Sequence, residues 1–150
     1  DYGRSRGLGD VYKRQGLGRL AKNLKKFDPD FVLIELGGND ALRGYSIKLI
    51  KSNLEKMIAL IKQNNSKVLL MQIRIPPNYG QKYMLAFEKI YKDLALSEEV
   101  YLMPFMLEEI GINSELMQPD GIHPNKKAQS LIAKDVKKNI DKFLLINQSN

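Results

Sequence analysis

The chain has no cysteine and only one histidine. The first absence excludes disulfides and thiolate metal sites. The second, with no His/Cys cluster to accompany it, argues against a zinc centre. No apolar run approaches the roughly 20 residues that a membrane-spanning helix requires. The polar N-terminal stretch shows none of the apolar core of a signal peptide. Internal repeats and low-complexity linkers are missing too. So is any Arg-rich tract interleaved with aromatics, and the formal charge of +7 therefore reads as lysines on solvated helix faces rather than a nucleic-acid surface.

What is present fits one domain. The 150 residues are 43% hydrophobic, enough for a core of useful size. Residues 1–15 differ from the rest: they are rich in Gly and Arg and carry no apolar period. The run Asp10-Val11-Tyr12-Lys13-Arg14-Gln15 reads like translated adapter DNA. Residues 1–15 are thus expected to be a non-native or disordered segment, and 16–150 the domain proper. The segment holds four Lys/Arg and two Asp, so the domain's formal charge would fall from +7 to +5.

From residue 16 onward, helical and strand patterns alternate. Leu17, Leu20, Ala21, Leu24 and Phe27 recur at helical spacing, and Asp28-Pro29-Asp30 turns the chain. Phe31 to Leu36 is a nearly continuous apolar run, as in a strand covered on both faces, and Gly37-Gly38 end it. A helix is predicted over Ser46 to Asn64, a buried strand over Lys67 to Ile73, and a rigid Pro76-Pro77-Asn78-Tyr79-Gly80 loop. Then come a helix over Gln81 to Leu96, packing through Leu85, Phe87, Ile90, Tyr91 and Leu94, and a short strand over Val100 to Met103. Phe105 to Met117 is irregular. A closing helix over Asn125 to Leu145 has Asn125 as its N-cap and Ala128, Leu131, Ile132, Val136, Ile140 and Phe143 as its apolar face. Such alternation implies an α/β fold with a parallel sheet flanked by helices. Ligands of such folds bind beyond the carboxyl ends of the strands.

Two short motifs carry chemistry. Asp120-Gly121-Ile122-His123, followed by Pro124, places the only histidine three residues after an Asp in a turn fixed by Gly and Pro. His123 could act as general base and then general acid, because an unperturbed imidazole titrates close to neutrality. Asp120 could fix its tautomer and stabilise the imidazolium. The bland alternative is a surface turn whose Asp caps the next helix. The second motif is Gly37-Gly38-Asn39-Asp40, just after the first apolar strand. The Asn39 amide there could donate to an oxyanion, with turn chemistry as the alternative. Asp40 is read as structural, and Glu35 is assigned no role. Arg74, Ile75, Pro76, Pro77, Asn78, Tyr79 and Gly80 form a candidate substrate loop or an ordinary connection. Met103, Phe105, Met106, Leu107 and Met117 could line an acyl pocket or simply pack.

In this order the two motifs resemble the third and fifth sequence blocks of the SGNH (GDSL) hydrolases. The runs Glu35 to Gly44, Met71 to Gly80, Met103-Pro104-Phe105 and Met117 to Asn125 resemble the bacterial multifunctional thioesterase I/lysophospholipase/arylesterase branch. The resemblance runs from about Gly16 to the C-terminus. It implies a three-layer α/β/α flavodoxin-like fold with a parallel sheet. It also implies Asp120 and His123 as triad acid and base, Asn39 with Gly38 in the oxyanion hole, and the Arg74 to Gly80 loop as substrate-binding. The implied substrates are small-molecule acyl esters, acyl thioesters or lysophospholipids, cleaved through an acyl-serine intermediate. Neither metal nor other cofactor is implied, and no nucleic-acid partner. The whole protein would be a monomer, periplasmic or secreted.

The departure from the family lies at its first block, Gly-Asp-Ser-Leu, which closes the first strand and supplies the nucleophile. It does not occur in this sequence. Ser5 follows no strand, Val11 stands where Gly9-Asp10 would need a nucleophile, and Ser46 and Ser52 begin a helix. No nucleophile is assigned. The expectation is therefore a C-terminal portion of a serine esterase/thioesterase, lacking the first strand and inactive by itself. Phe31 to Leu36 would be left as an apolar edge. The alternatives are a serine-less protein that binds acyl chains or lysolipids, and a basic nucleic-acid-binding module, which would betray itself by steep salt dependence.

Overall fold

The computed structural model describes residues 17–148. The adapter-like segment 1–15 lies outside them. Helix α1 covers 17–27; its Leu24 is buried while Phe27 is exposed. Asp28, at φ 42°, takes the left-handed turn out of it. Strand β1 (Phe31–Ile34) follows, then the short helix α2 (Gly38–Leu42) and the long helix α3 (Ile47–Gln63). Strand β2 (Lys67–Met71) leads through a 3-10 turn at Pro77–Tyr79 into α4 (Gln81–Ser97). Strand β3 (Tyr101–Met103) and a 3-10 turn at Ser114–Leu116 precede α5 (Gln129–Gln148).

The strands form a parallel sheet in the order β1-β2-β3. Ile34 lies opposite Leu70, and Leu70 opposite Leu102. Successive side chains alternate between faces, so these three share one face with Val68. Against that face pack Ile50, Leu54, Ile58 and Ile61 of α3 and Phe87, Ile90, Tyr91 and Leu94 of α4, all buried. Each such aliphatic side chain contributes about 1.5–3 kcal/mol when fully withdrawn from water. On the other face, Phe143 of α5 meets Phe31 and Tyr101 edge-on, with ring centroids 5.8 and 5.6 Å apart. Helix, sheet, helix is the three-layer α/β/α arrangement that the family resemblance implied, here with three strands.

The helix ends follow local chemistry. Ser46 caps α3, its Oγ accepting the Leu49 N–H at 3.3 Å. Asn125 accepts the Lys127 N–H, but a 3-10 turn (Lys126–Ala128) stands between this cap and α5. Other details differ from the sequence reading. β1 ends at Ile34, so Glu35 and Leu36 lie past the strand, and both are exposed. Gly38–Leu42 is a turn of helix rather than a plain turn. Leu85 and Leu131 point largely to solvent, at 54% and 45% exposure, because the periodic stripe of each helix is wider than the surface it covers. Among the described residues β1 pairs only with β2, leaving its other edge open.

Candidate active site

The Asp120–His123 turn is built by its own backbone. Gly121 takes φ 67°, a region costly for any residue with a β-carbon. Asp120 Oδ1 accepts the N–H groups of Ile122 and His123 at 2.9 and 3.0 Å. Its Oδ2 stands 2.7 Å from His123 Nδ1. The turn is closed behind by an antiparallel bridge between Met117 and Pro124 and by the Gln118 N–H donating to the His123 carbonyl at 2.7 Å. Asn125 fastens it further, donating to the carbonyls of Glu115 and Met117.

Asp120 is held ionised by these donors. The His123 N–H contributes most, the His123 ring next and the Ile122 N–H after it, and together they lower the carboxyl from 3.8 to about 2. With Nδ1 committed to a carboxylate, Nε2 is the nitrogen left for proton transfer. The pair is open to water, its side chains 67% and 44% exposed for His123 and Asp120.

Asn39 sits in the first turn of α2, where backbone N–H groups have no partner within the helix. The preceding Gly37 stands at φ 108°, and a β-carbon there would lie 2.5 Å from the Tyr91 hydroxyl. Gly38 is tightly placed as well: a β-carbon would lie 3.3 Å from Ile73 Cγ2. The double glycine thus answers two separate steric demands.

One cleft of about 620 Å³ gathers these pieces at the carboxyl ends of the strands. Gly38, Asn39 and His123 line it, with Arg74, Ile75 and Pro76 from the loop after β2 and Phe105, Met106 and Leu107 after β3. Asp120 stands behind His123 and does not line it. Pro77, Asn78, Tyr79 and Gly80 do not reach it either, and Met103 and Met117 are also outside the lining; Met103 is fully buried. Arg74 faces the cleft while paired to Glu108 at 2.9 Å and Glu88 at 3.8 Å, which ties the two loops together. Sequence reasoning missed Tyr45, Asn53 and Met57, which also line the cleft. For Asn53 a signal existed: it is a polar residue within the apolar stripe of α3, buried to 9% exposure.

The family's sequence profile, that of the GDSL-like Lipase/Acylhydrolase family, matches residues 5–131. The chain belongs to this family. Its similarity to the arylesterase of Vibrio mimicus is 50% identity over 129 residues, covering 86% of this chain and 64% of that protein. To thioesterase 1/protease 1/lysophospholipase L1 of Escherichia coli (strain K12) it is 48% over 120 residues, covering 80% and 58%. The chain therefore spans about three fifths of these relatives' length. Among solved structures, the psychrotrophic esterase EstA of Pseudoalteromonas sp., inhibited by monoethylphosphonate, superposes with a TM-score of 0.84 at 39% identity, covering 88% of this chain and 72% of EstA.

In this GDSL-family chain none of the described serines lines the cleft. The sequence offers no Cys or Thr in their place. Among the described residues no group of three or more His, Asp or Glu could hold a metal, and no helix is long and apolar enough to cross a membrane.

Proposed function

We propose that this chain carries the acid–base pair and oxyanion donors of a serine esterase/thioesterase acting on acyl esters, acyl thioesters or lysophospholipids. The observation that carries the reading is the convergence of His123, backed by Asp120 at 2.7 Å, with Gly38 and Asn39 in one cleft. In this reaction a serine Oγ attacks the acyl carbonyl while His123 Nε2 takes its proton. Asp120 stabilises the imidazolium, and the Asn39 amide and Gly38 N–H donate to the oxyanion. His123 then returns the proton to the leaving oxygen or sulfur, and the acyl-serine is released by water through the same base. The Phe105-Met106-Leu107 wall suits an acyl chain, since Met fills irregular apolar space.

The serine is proposed to come from a Gly-Asp-Ser block on a strand outside these 150 residues, seated on the open edge of β1, with residues 1–15 not part of the native domain. The 150 residues alone are then inactive. The whole protein is proposed to be a monomer exported to the periplasm or beyond. Sequencing the source locus upstream of the Gly16 codon tests the origin of the serine. Hydrolysis of p-nitrophenyl butyrate by the longer frame, lost in His123→Ala, tests the chemistry. The lack of any described serine in the cleft favours a second reading, a serine-less binder of acyl chains or lysolipids. That reading predicts micelle-independent lysolipid binding without turnover, from a locus carrying no Gly-Asp-Ser block.

A further inference from the structure

The short helix that carries Asn39 cannot hold its own position. Five residues are far too few for an isolated helix to be stable in water. No side chain caps α2, whose N-cap is Gly37. Its placement must come from outside, and two tyrosines of α4 supply it. The Tyr91 hydroxyl donates to the Leu36 carbonyl at 2.8 Å, immediately before Gly37. The Tyr83 hydroxyl donates to the Tyr45 carbonyl at 2.6 Å, immediately after Gly44, and lies 3.3 Å from the Ala41 carbonyl. One helix therefore grips both ends of the 37–44 segment.

The grip is rigid. Tyr91 is fully buried, and its ring stands edge-on to Phe87 with centroids 5.3 Å apart. Ala41, at the centre of α2, is buried in the same core. Burial first, and the Asp40 charge second, push both phenols up from their ordinary value, so each stays a donor throughout the pH range of ester hydrolysis. Each hydroxyl donates to backbone carbonyls, a role that a phenol O–H fills and a phenylalanine cannot.

We propose that Tyr83 and Tyr91 are positioning residues for Asn39, holding the two ends of its segment from α4 so that its amide stands at the cleft where an oxyanion would form. The inference rests on the oxyanion reading of Asn39. A displacement of about 1 Å in such a donor costs on the order of 10²-fold in rate. An interaction felt only in the transition state appears in kcat and not in KM.

The test uses the longer reading frame proposed above to supply the serine, with p-nitrophenyl butyrate as substrate. Tyr83→Phe and Tyr91→Phe keep the rings and remove one hydroxyl each. Each is expected to lower kcat roughly tenfold or more with KM changed less than about twofold. In an Asn39→Ala background, where kcat is already lower by roughly 10²–10³-fold, neither variant should lower it further. Should Tyr91→Phe fail to fold, the half-buried Tyr83 carries the test alone. Full kcat in both phenylalanine variants, with Asn39→Ala impaired, overturns the clamp only. Losses that multiply with Asn39→Ala overturn it too, since they mean a merely structural role. An unimpaired Asn39→Ala overturns the oxyanion reading itself.

Discussion

The Tyr91 hydroxyl occupies the space that a β-carbon on Gly37 would need, 2.5 Å away. The first glycine of the Gly-Gly-Asn-Asp motif is therefore a packing requirement of α4 as much as a backbone one. At φ 108° a side chain would also be strained.

Gly37→Ala should destabilise the fold by about 2–4 kcal/mol, the combined scale of backbone strain and overpacking. Removing the obstructing oxygen in a Gly37→Ala, Tyr91→Phe double variant should recover part of that loss relative to additivity, because only the steric share is relieved. Urea unfolding of the four corners of the cycle measures it. Strict additivity would mean that the hydroxyl and the β-carbon never compete.

If the proposed Gly-Asp-Ser block completes a triad with this chain, Asp120→Asn in that longer protein should lower kcat by roughly 10⁴-fold, the scale on which a triad loses its correct imidazole tautomer. His123→Ala should cost at least as much. Little change in either, by p-nitrophenyl ester hydrolysis, would remove the pair from the mechanism.

The Asp120 carboxyl should titrate at about 2 in the folded chain, below its ordinary 3.8. The sign follows from a depressed folded value: the turn's stabilisation is complete above about pH 4 and is lost as pH falls through about 2. A ¹³C NMR titration of the side-chain carboxyl gives the midpoint directly, and the Ile122 and His123 amide protons should shift with it. A midpoint near 3.8 would show that those amides do not hold the carboxylate.

The 150-residue chain should self-associate. Among the described residues β1 has an unpaired apolar edge, and Leu36 beside it is 51% exposed. Analytical ultracentrifugation is expected to find aggregates or oligomers at micromolar concentration. A monomer that unfolds cooperatively on heating would contradict this.

In the core, Ile58→Ala should cost about 2–5 kcal/mol, since the side chain is fully buried between α3 and the sheet. Leu96→Ala, at a site 81% exposed, should change stability by less than about 0.5 kcal/mol. Thermal denaturation of the pair separates packing from propensity.

The layers and the Asp–His turn were legible in the sequence because each is written locally. Continuous apolar runs mark β1 and β2, period-3.6 apolar patterns mark α3 and α4, and the turn's Gly and Pro stand next to the residues they orient. What escaped depends on neighbours distant in sequence. Periodicity counts Leu85 as core, yet nothing covers it. It counts Tyr91 as merely apolar, although its hydroxyl serves a carbonyl 55 positions earlier. Glu35 falls inside the Phe31 to Leu36 run read as strand; β1 ends at Ile34, just before it, and Glu35 is exposed. Of the loop after β2, Arg74 to Pro76 reach the cleft, while the 3-10 turn at Pro77–Tyr79 carries the remainder away, a change of direction that composition does not encode.

The turn that joins Asp120 to His123 spans four residues and is latched at Met117–Pro124. Its internal geometry owes nothing to the sheet. Carboxylate and imidazole therefore travel together as a preassembled cassette, and substitutions elsewhere in the chain can tilt or retract it without pulling its members apart. Evolution can in this way adjust the reach of the imidazole into the cleft through the flanking segments, while the alignment within the pair stays fixed.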